Sequence, residues 1–166
     1  IVFGGLTVLL KLAPWTVSAH LILGNSFCLT LLWIACDLHA QAKSELGLTR
    51  SVSRLVVTPA IRAFAGLSAL CLFFQFLLGG LVSGNYAGLA CRTFPTCNGD
   101  QIIPEFAGLI GLHVLHRLNG FLLLASFCVL MLLTRKLERI GMLASAAFRI
   151  VFLQIFIGIG NVLLKL

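Results

Sequence analysis

Three histidines lie inside long apolar segments of the sequence. His113 and His116 share one segment with Arg117, and His20 belongs to another. Uncompensated ionisable groups are costly within a bilayer, so residues of this kind are typical of functional sites. His113, His116 and Arg117 are spaced by three and four residues, which places them on one face of a helix.

Neutral imidazole is a common ligand of metal ions and of haem iron. A zinc site needs three or four clustered ligands, whereas each apolar segment offers one or two histidines and no carboxylate at the same depth. A haem needs only one histidine on each face, and a buried arginine such as Arg117 could pair with a propionate. The pattern therefore favours haem over zinc. A hydrogen-bonded packing role stays open for His20 and His116, and it suits His113 best.

Two cysteines, Cys91 and Cys97, occupy a short polar stretch between two apolar segments. They could form a disulfide if this loop faces an oxidising compartment. Their spacing is not the CxxC of thiol redox catalysts, and Arg92 is the only cation of the loop. A structural bridge is therefore favoured over a reactive pair.

The composition indicates a membrane protein. Hydrophobic residues make up 60% of the 166 residues and charged residues 10%, whereas soluble domains are roughly half apolar and a quarter charged. The net charge of +7 arises mainly from cations clustered in two short loops. Such clustering sets membrane topology, and it argues against a nucleic-acid-binding protein.

The sequence predicts an all-α, polytopic transmembrane helical bundle. Four segments are long and apolar enough to span a bilayer: residues 15–36, 63–84, 107–133 and 144–164. Residues 1–11 are too short to span alone, and they precede a turn at Pro14. We interpret them as the end of a truncated helix.

The distribution of cations predicts the orientation in the membrane. Loops 37–62 and 134–149 each carry four lysines or arginines, whereas the cysteine loop 85–106 carries one. The positive-inside rule places the first two loops in the cytoplasm and the cysteine loop on the outer, periplasmic side. An outer location also agrees with a disulfide.

An internal repeat indicates duplicated units. Residues 1–12 and 155–166 are identical at seven of twelve positions, and such self-similarity is typical of repeated architectures. We expect the natural protein to extend further in both directions. Downstream, another helix would carry a counterpart of His20; upstream, there would be a counterpart of the stretch 75–120.

The stretch 75–120 combines three motifs: AGLAC at 87–91, FPTCNG at 94–99, and the pair His116-Arg117. This combination closely resembles the haem A synthase family, which pairs such an outer loop with a histidine-arginine helix. The GGLTVL run at 4–9, followed by Pro14 and His20, resembles the end of the family's first half. The resemblance covers nearly the whole chain.

The resemblance implies a tandem pair of four-helix bundles, each with two haem-ligating histidines. Residues 1–36 would then end the first bundle, 37–62 would form a cytoplasmic linker, and 63–166 would form the second bundle without its last helix. His20 would be an axial ligand of the substrate haem O. His116 would be an axial ligand of the cofactor haem B.

The resemblance also implies the reaction, which is oxidation of the C8 methyl group of haem O to the formyl group of haem A. Arg117 would contact a propionate or order the helix, and His113 would line the haem B site. The family's catalytic glutamate lies outside this sequence, so we assign no catalytic residue within it. The setting would be a bacterial plasma membrane, and a haem O synthase would supply haem O. The sequence does not identify the electron donor. A homo-oligomer is also possible.

Some residues depart from the family pattern, and three other functions stay open. Phe94 stands where many members have tryptophan, and Ser83 where many have arginine. The first rival is a bis-histidine cytochrome b, in which His20 and His116 would bind one haem. The others are a quinone-linked thiol oxidase that uses the two loop cysteines, and a non-catalytic assembly or transport protein.

Overall fold

A computed structural model describes residues 2–46, 57–99 and 106–165. It contains five α-helices: α1 (Val2–Leu9), α2 (Pro14–Glu45), α3 (Pro59–Gly84), α4 (Gly108–Thr134) and α5 (Glu138–Leu164). A short 3-10 helix, Ala87–Leu89, follows α3, and no strand occurs in these three ranges. Helices α2 to α5 are each long and apolar enough to cross a membrane, so the all-α transmembrane prediction is confirmed.

Prolines and a threonine cap define where two of the helices begin. Pro14 and Pro59 open α2 and α3, where the missing N–H of proline costs no hydrogen bond. The side chain of Thr58 accepts a hydrogen bond from the Ile61 amide at 3.3 Å. Because of this cap, α3 begins four residues before the predicted span at 63.

Helix α2 continues past the predicted end of its span at Cys36 and ends at Glu45. The residues that follow Cys36 are mostly good helix formers such as alanine, glutamine and lysine. The Gln41 side chain also donates to the Asp37 carboxylate at 2.7 Å, one turn away. The first part of the predicted linker 37–62 is therefore helical, and its residues 47–56 lie outside the described residues.

At the other end of the molecule, α5 begins at Glu138, before the predicted span at 144. An acidic side chain in the first turn of a helix is favourable because the helix N-terminus carries partial positive charge. Only a tight turn, 135–137, then separates α4 from α5. In the cysteine loop, 100–105 lie outside the described residues.

Consecutive helices pack against each other along the chain. Glycines bring α2 and α3 into close contact: a Cβ atom on Gly80 would lie 2.7 Å from Ser18 Cα, and one on Gly84 would lie 2.7 Å from Pro14 Cα. No side chain fits at either position, as expected for small residues that allow helices to approach closely. At the opposite end, an apolar cluster of Ile61, Leu130 and Ala144 joins α3, α4 and α5.

Candidate functional site

A cavity of about 580 Å³ lies between α3, α4, α5 and the cysteine loop. Its size is within the usual range for small-molecule and cofactor sites, roughly 300–1,000 Å³. Most of the wall is apolar, and its polar side chains come from three helices. They are Gln75 of α3; His113, His116 and Arg117 of α4; and Gln154 and Asn161 of α5.

His116 is half-buried in this wall and lies against two groups of α3. A Cβ atom on Gly79 would lie 3.4 Å from His116 Cε1, so the glycine lets the ring approach the α3 backbone. The Gln75 amide nitrogen lies 3.3 Å from both ring nitrogens. Asn119 donates to the Gln75 side-chain oxygen at 2.7 Å and to the Cys71 carbonyl at 2.9 Å. Because Asn119 occupies the oxygen of Gln75, the glutamine turns its N–H groups toward His116.

His113 is buried, with 4% of its surface exposed. Its Nδ1 lies 2.8 Å from the Ala87 carbonyl oxygen, which can only accept, so Nδ1 carries the hydrogen. Its Nε2 accepts from Arg117 Nε at 3.0 Å. His113 therefore lines the cavity, but both of its ring nitrogens have protein partners. This arrangement is the hydrogen-bonded packing role that stayed open for it.

Arg117 points its guanidinium group at the cysteine loop. Its terminal nitrogens donate to the carbonyl oxygens of Cys91 at 3.0 Å, Thr93 at 3.1 Å and Thr96 at 3.5 Å. The guanidinium carbon also lies 5.9 Å from the centre of the Phe94 ring, within cation–π range. Arg117 was expected to contact a propionate or to order its helix, and within the chain its terminal nitrogens instead bind the cysteine loop.

The cysteine loop is closed by a disulfide between Cys91 and Cys97, as predicted. Both cysteines are buried, at 0% and 4% exposed, and they pack against Val114 of α4. Asn98 adds two hydrogen bonds that span the loop, from its amide group to the Ala90 carbonyl and from the Arg92 backbone N–H to its side-chain oxygen. Burial of both sulfurs favours a structural bridge over a thiol-exchange site.

His20 lies on α2, is exposed, and does not line the cavity that contains His116. Its ring faces Gly4 of α1, where a Cβ atom would lie 3.4 Å from His20 Cε1. His39 is exposed near the end of α2. The structure thus brings His113, His116 and Arg117 together and keeps His20 apart from them.

The arrangement around His116 fits a haem better than a multiply ligated metal ion. Within the described residues, no group of three or more His, Cys, Asp or Glu side chains could hold a metal ion. A haem needs one histidine on a face, and His116 provides it beside a largely apolar cavity. Gly79 and Gly120 also line this cavity, and their missing Cβ atoms leave room for the His116 ring and the Gln75 amide.

The sequence did not predict the contact between Gln75, Asn119 and His116, although Gln75 opens the stretch 75–120 that carries the three motifs. The available signal was an amide side chain within each of two predicted spans, since polar groups at membrane depth usually face a partner or a ligand. The partner itself could not be identified, because Gln75 and His116 are 41 residues apart.

Residues 2–166 match the family model COX15-CtaA, described as "Cytochrome oxidase assembly protein". The chain is 27% identical to the heme A synthase of Shewanella oneidensis over 96% of its own length and 53% of the relative's. It is 31% identical to that of Caulobacter vibrioides, over 95% of its own length and 47% of the relative's.

A shorter match, to the heme A synthase of Alkalihalophilus pseudofirmus, is 45% identical over 34% of the chain and 18% of the relative. The chain spans about half the length of the first two relatives. No solved structure gives a significant match. The family match covers nearly every residue, and the chain therefore belongs to the COX15-CtaA family, the haem A synthase family that its loop and histidine-arginine motifs predicted.

Proposed function

We propose that the protein containing this chain is a haem A synthase, an oxidoreductase that converts the C8 methyl group of haem O to the formyl group of haem A. Haem B would be its cofactor, held in the cavity of α3, α4 and α5. The observation that supports this most directly is His116, which lines a cofactor-sized cavity inside a membrane span of a chain from this family.

In this proposal, each polar residue of the cavity has a separate task. His116 would hold haem B, and Gln75 orients the His116 ring from α3. When bound, the haem supplies the redox chemistry, and the protein supplies binding, orientation and exclusion of water. Arg117 and His113 connect the cavity wall to the cysteine loop.

His20 would serve a second haem, the substrate. Its exposed ring lies on α2 against Gly4 and outside the cavity of His116, which supports two haem sites over a cytochrome b in which both histidines bind one iron. In the proposed tandem arrangement, 1–36 belong to one four-helix bundle and 63–166 to the other. The remaining ligands and the catalytic carboxylate would come from other parts of the protein.

We further propose a bacterial plasma membrane as the setting, with the cysteine loop on the outer side. The two basic loops predict that orientation. The buried disulfide supports a structural role for the loop over the thiol oxidase alternative. Haem O would come from a haem O synthase, and a separate donor would supply electrons.

The test is haem extraction and chromatography from the purified full-length protein and from three variants. His116→Ala should lower haem B at least about tenfold, because losing a ligand exceeds the 10–100-fold effect of losing a residue that only orients one. His20→Ala should lower haem O and haem A and leave haem B in place. His39→Ala is the matched control, since this exposed histidine lies on the same helix as His20.

Two results would contradict the proposal. Full haem B content in the His116 variant would remove this residue as a ligand. Loss of the same single haem from the His116 and His20 variants would instead favour the bis-histidine electron carrier.

A further inference from the structure

Three carbonyl oxygens of the cysteine loop converge on one side chain, Arg117. They belong to Cys91, Thr93 and Thr96, and all three accept hydrogen bonds from its terminal nitrogens. Arginine has five N–H groups in a rigid fork. With the bond from Nε to His113, four of the five have acceptors within the protein.

The convergence depends on the shape of the loop. The disulfide holds the Cα atoms of Cys91 and Cys97 4.6 Å apart, so the chain between them must turn back on itself. That turn brings the carbonyl oxygens at both ends of the loop within reach of one planar group. A loop without this closure would scatter the same oxygens, because the residues between the cysteines would have many more conformations.

The loop in turn forms part of the cavity. Phe94 lines it beside Arg117, and its ring lies 6.4 Å from that of Phe121 on α4. His113, one turn before Arg117, extends the connection to Ala87 at the start of the loop region. The guanidinium group therefore links both ends of the loop to the helix that carries His116.

We propose that Arg117 is a positioning residue whose guanidinium group, bound by the carbonyl oxygens of Cys91, Thr93 and Thr96, holds the disulfide-closed loop against α4 as a wall of the cavity. The Arg117 contacts and the disulfide then stabilise each other. This role goes beyond the proposed enzyme activity and does not depend on which molecule fills the cavity.

Because the Arg117 contacts and the disulfide are thermodynamically linked, removing the contacts should change the equilibrium between the disulfide and its reduced form. If closure of the disulfide strengthens the contacts of Arg117, those contacts must stabilise the disulfide by the same factor. A hydrogen bond that involves a charged group contributes a factor of about ten to an equilibrium constant. When the loop opens, its carbonyl oxygens and Arg117 form hydrogen bonds with water instead. We therefore expect the Arg117 contacts together, and not each bond, to change the equilibrium constant about tenfold.

The experiment measures the equilibrium of the disulfide in the full-length protein, purified in detergent. The protein is equilibrated with mixtures of reduced and oxidised dithiothreitol, and free thiols are trapped with a maleimide and counted by mass spectrometry. Reduction breaks the bond between Cys91 and Cys97 and adds two electrons and two protons. Dithiothreitol supplies both and becomes the cyclic disulfide.

Arg117→Gln should raise the equilibrium constant for reduction about tenfold, which corresponds to about 30 mV for a two-electron couple. Arg117→Lys keeps the charge without the planar fork, and we expect about a threefold increase. Arg92→Gln is the matched control, because it removes an exposed cation from the same loop and should leave the equilibrium unchanged.

A wild-type equilibrium in Arg117→Gln would overturn the proposal, as would an equal shift in the Arg92 control. If Arg117→Gln does not fold, Arg117→Lys decides: a shift supports the proposal, and a wild-type equilibrium contradicts it.

Discussion

The rings of His116 and His20 make the same contact with a neighbouring helix, but the surroundings of the two rings differ. Each ring lies against a glycine of the preceding helix, with 3.4 Å between the histidine Cε1 and the position of a glycine Cβ. His116 is half-buried in a cavity, beside the amide of Gln75, whereas His20 is exposed. The pairing of a glycine with a histidine on the next helix therefore occurs twice within the described residues.

The two histidines share one contact and differ in the rest of their surroundings. The close approach between ring and backbone recurs in both places, but the amide partner and the cysteine loop accompany only His116 among the described residues. In the tandem proposal, other helices of the first bundle complete the surroundings of His20. In that proposal the two histidines serve different haems, although each ring lies against a glycine.

The largest effect is expected from a change that separates α2, which carries His20, from α3, which contacts His116. In Gly80→Leu, the new side chain would meet the backbone of Ser18, since a Cβ atom at position 80 already lies 2.7 Å from Ser18 Cα. We expect a loss of about 3 kcal/mol in stability, typical of severe overpacking, measured by thermal unfolding in detergent. Gly66→Leu on the same helix is the control, because its Cβ position has nothing within 4 Å. Equal stability of the two variants would show that the close contact of α2 and α3 is dispensable.

A narrower change should affect one histidine and not the other. Gly79→Leu would push against the His116 ring, and we expect haem B content to fall about tenfold, equivalent to the lower part of the usual overpacking cost. Gly4→Leu should do the same to the haem bound by His20. Extracted haems identified by chromatography distinguish the two. If either variant loses both haems equally, the two sites are not independent.

The smallest effect is expected from removing the side-chain amide of Gln75. Gln75→Leu leaves the Asn119 amide with only the Cys71 carbonyl and takes the N–H groups away from His116. We expect a loss of about 1 kcal/mol in haem B binding, the usual net contribution of one hydrogen bond, and a shift in the visible spectrum of haem B alone. Asn25→Leu on α2 is the control, since Asn25 bonds only within its own helix. An unchanged haem B spectrum would show that Gln75 does not touch the ligand ring in the functioning protein.

Much of this molecule could be predicted from its sequence because the informative signals are local. Long apolar segments predict the four membrane-spanning helices, and the charged loops show roughly where the apolar segments end. His113, His116 and Arg117 could be assigned to one face because they are spaced by three and four residues on a single helix. The disulfide could be predicted because its cysteines share one short loop.

The remaining features depend on contacts between distant parts of the chain. Arg117 was expected to contact a propionate or to order its helix, and its contacts with loop carbonyls more than twenty residues away were not predicted. Backbone carbonyl oxygens occur at every residue, so no residue type marks them in a sequence. The extension of α2 to Glu45 was missed for another reason: polarity indicates where a membrane span ends, and a helix can continue through water.

That extension gives α2 a length well beyond what the membrane requires. Its 32 residues correspond to about 48 Å at 1.5 Å per residue, whereas the hydrocarbon core is about 30 Å thick. One end of this helix carries His20, whose ring lies against Gly4, and the other end carries the exposed Lys43. A fluorescent label at position 43 would therefore report tilting of the His20 helix without any probe near His20 itself.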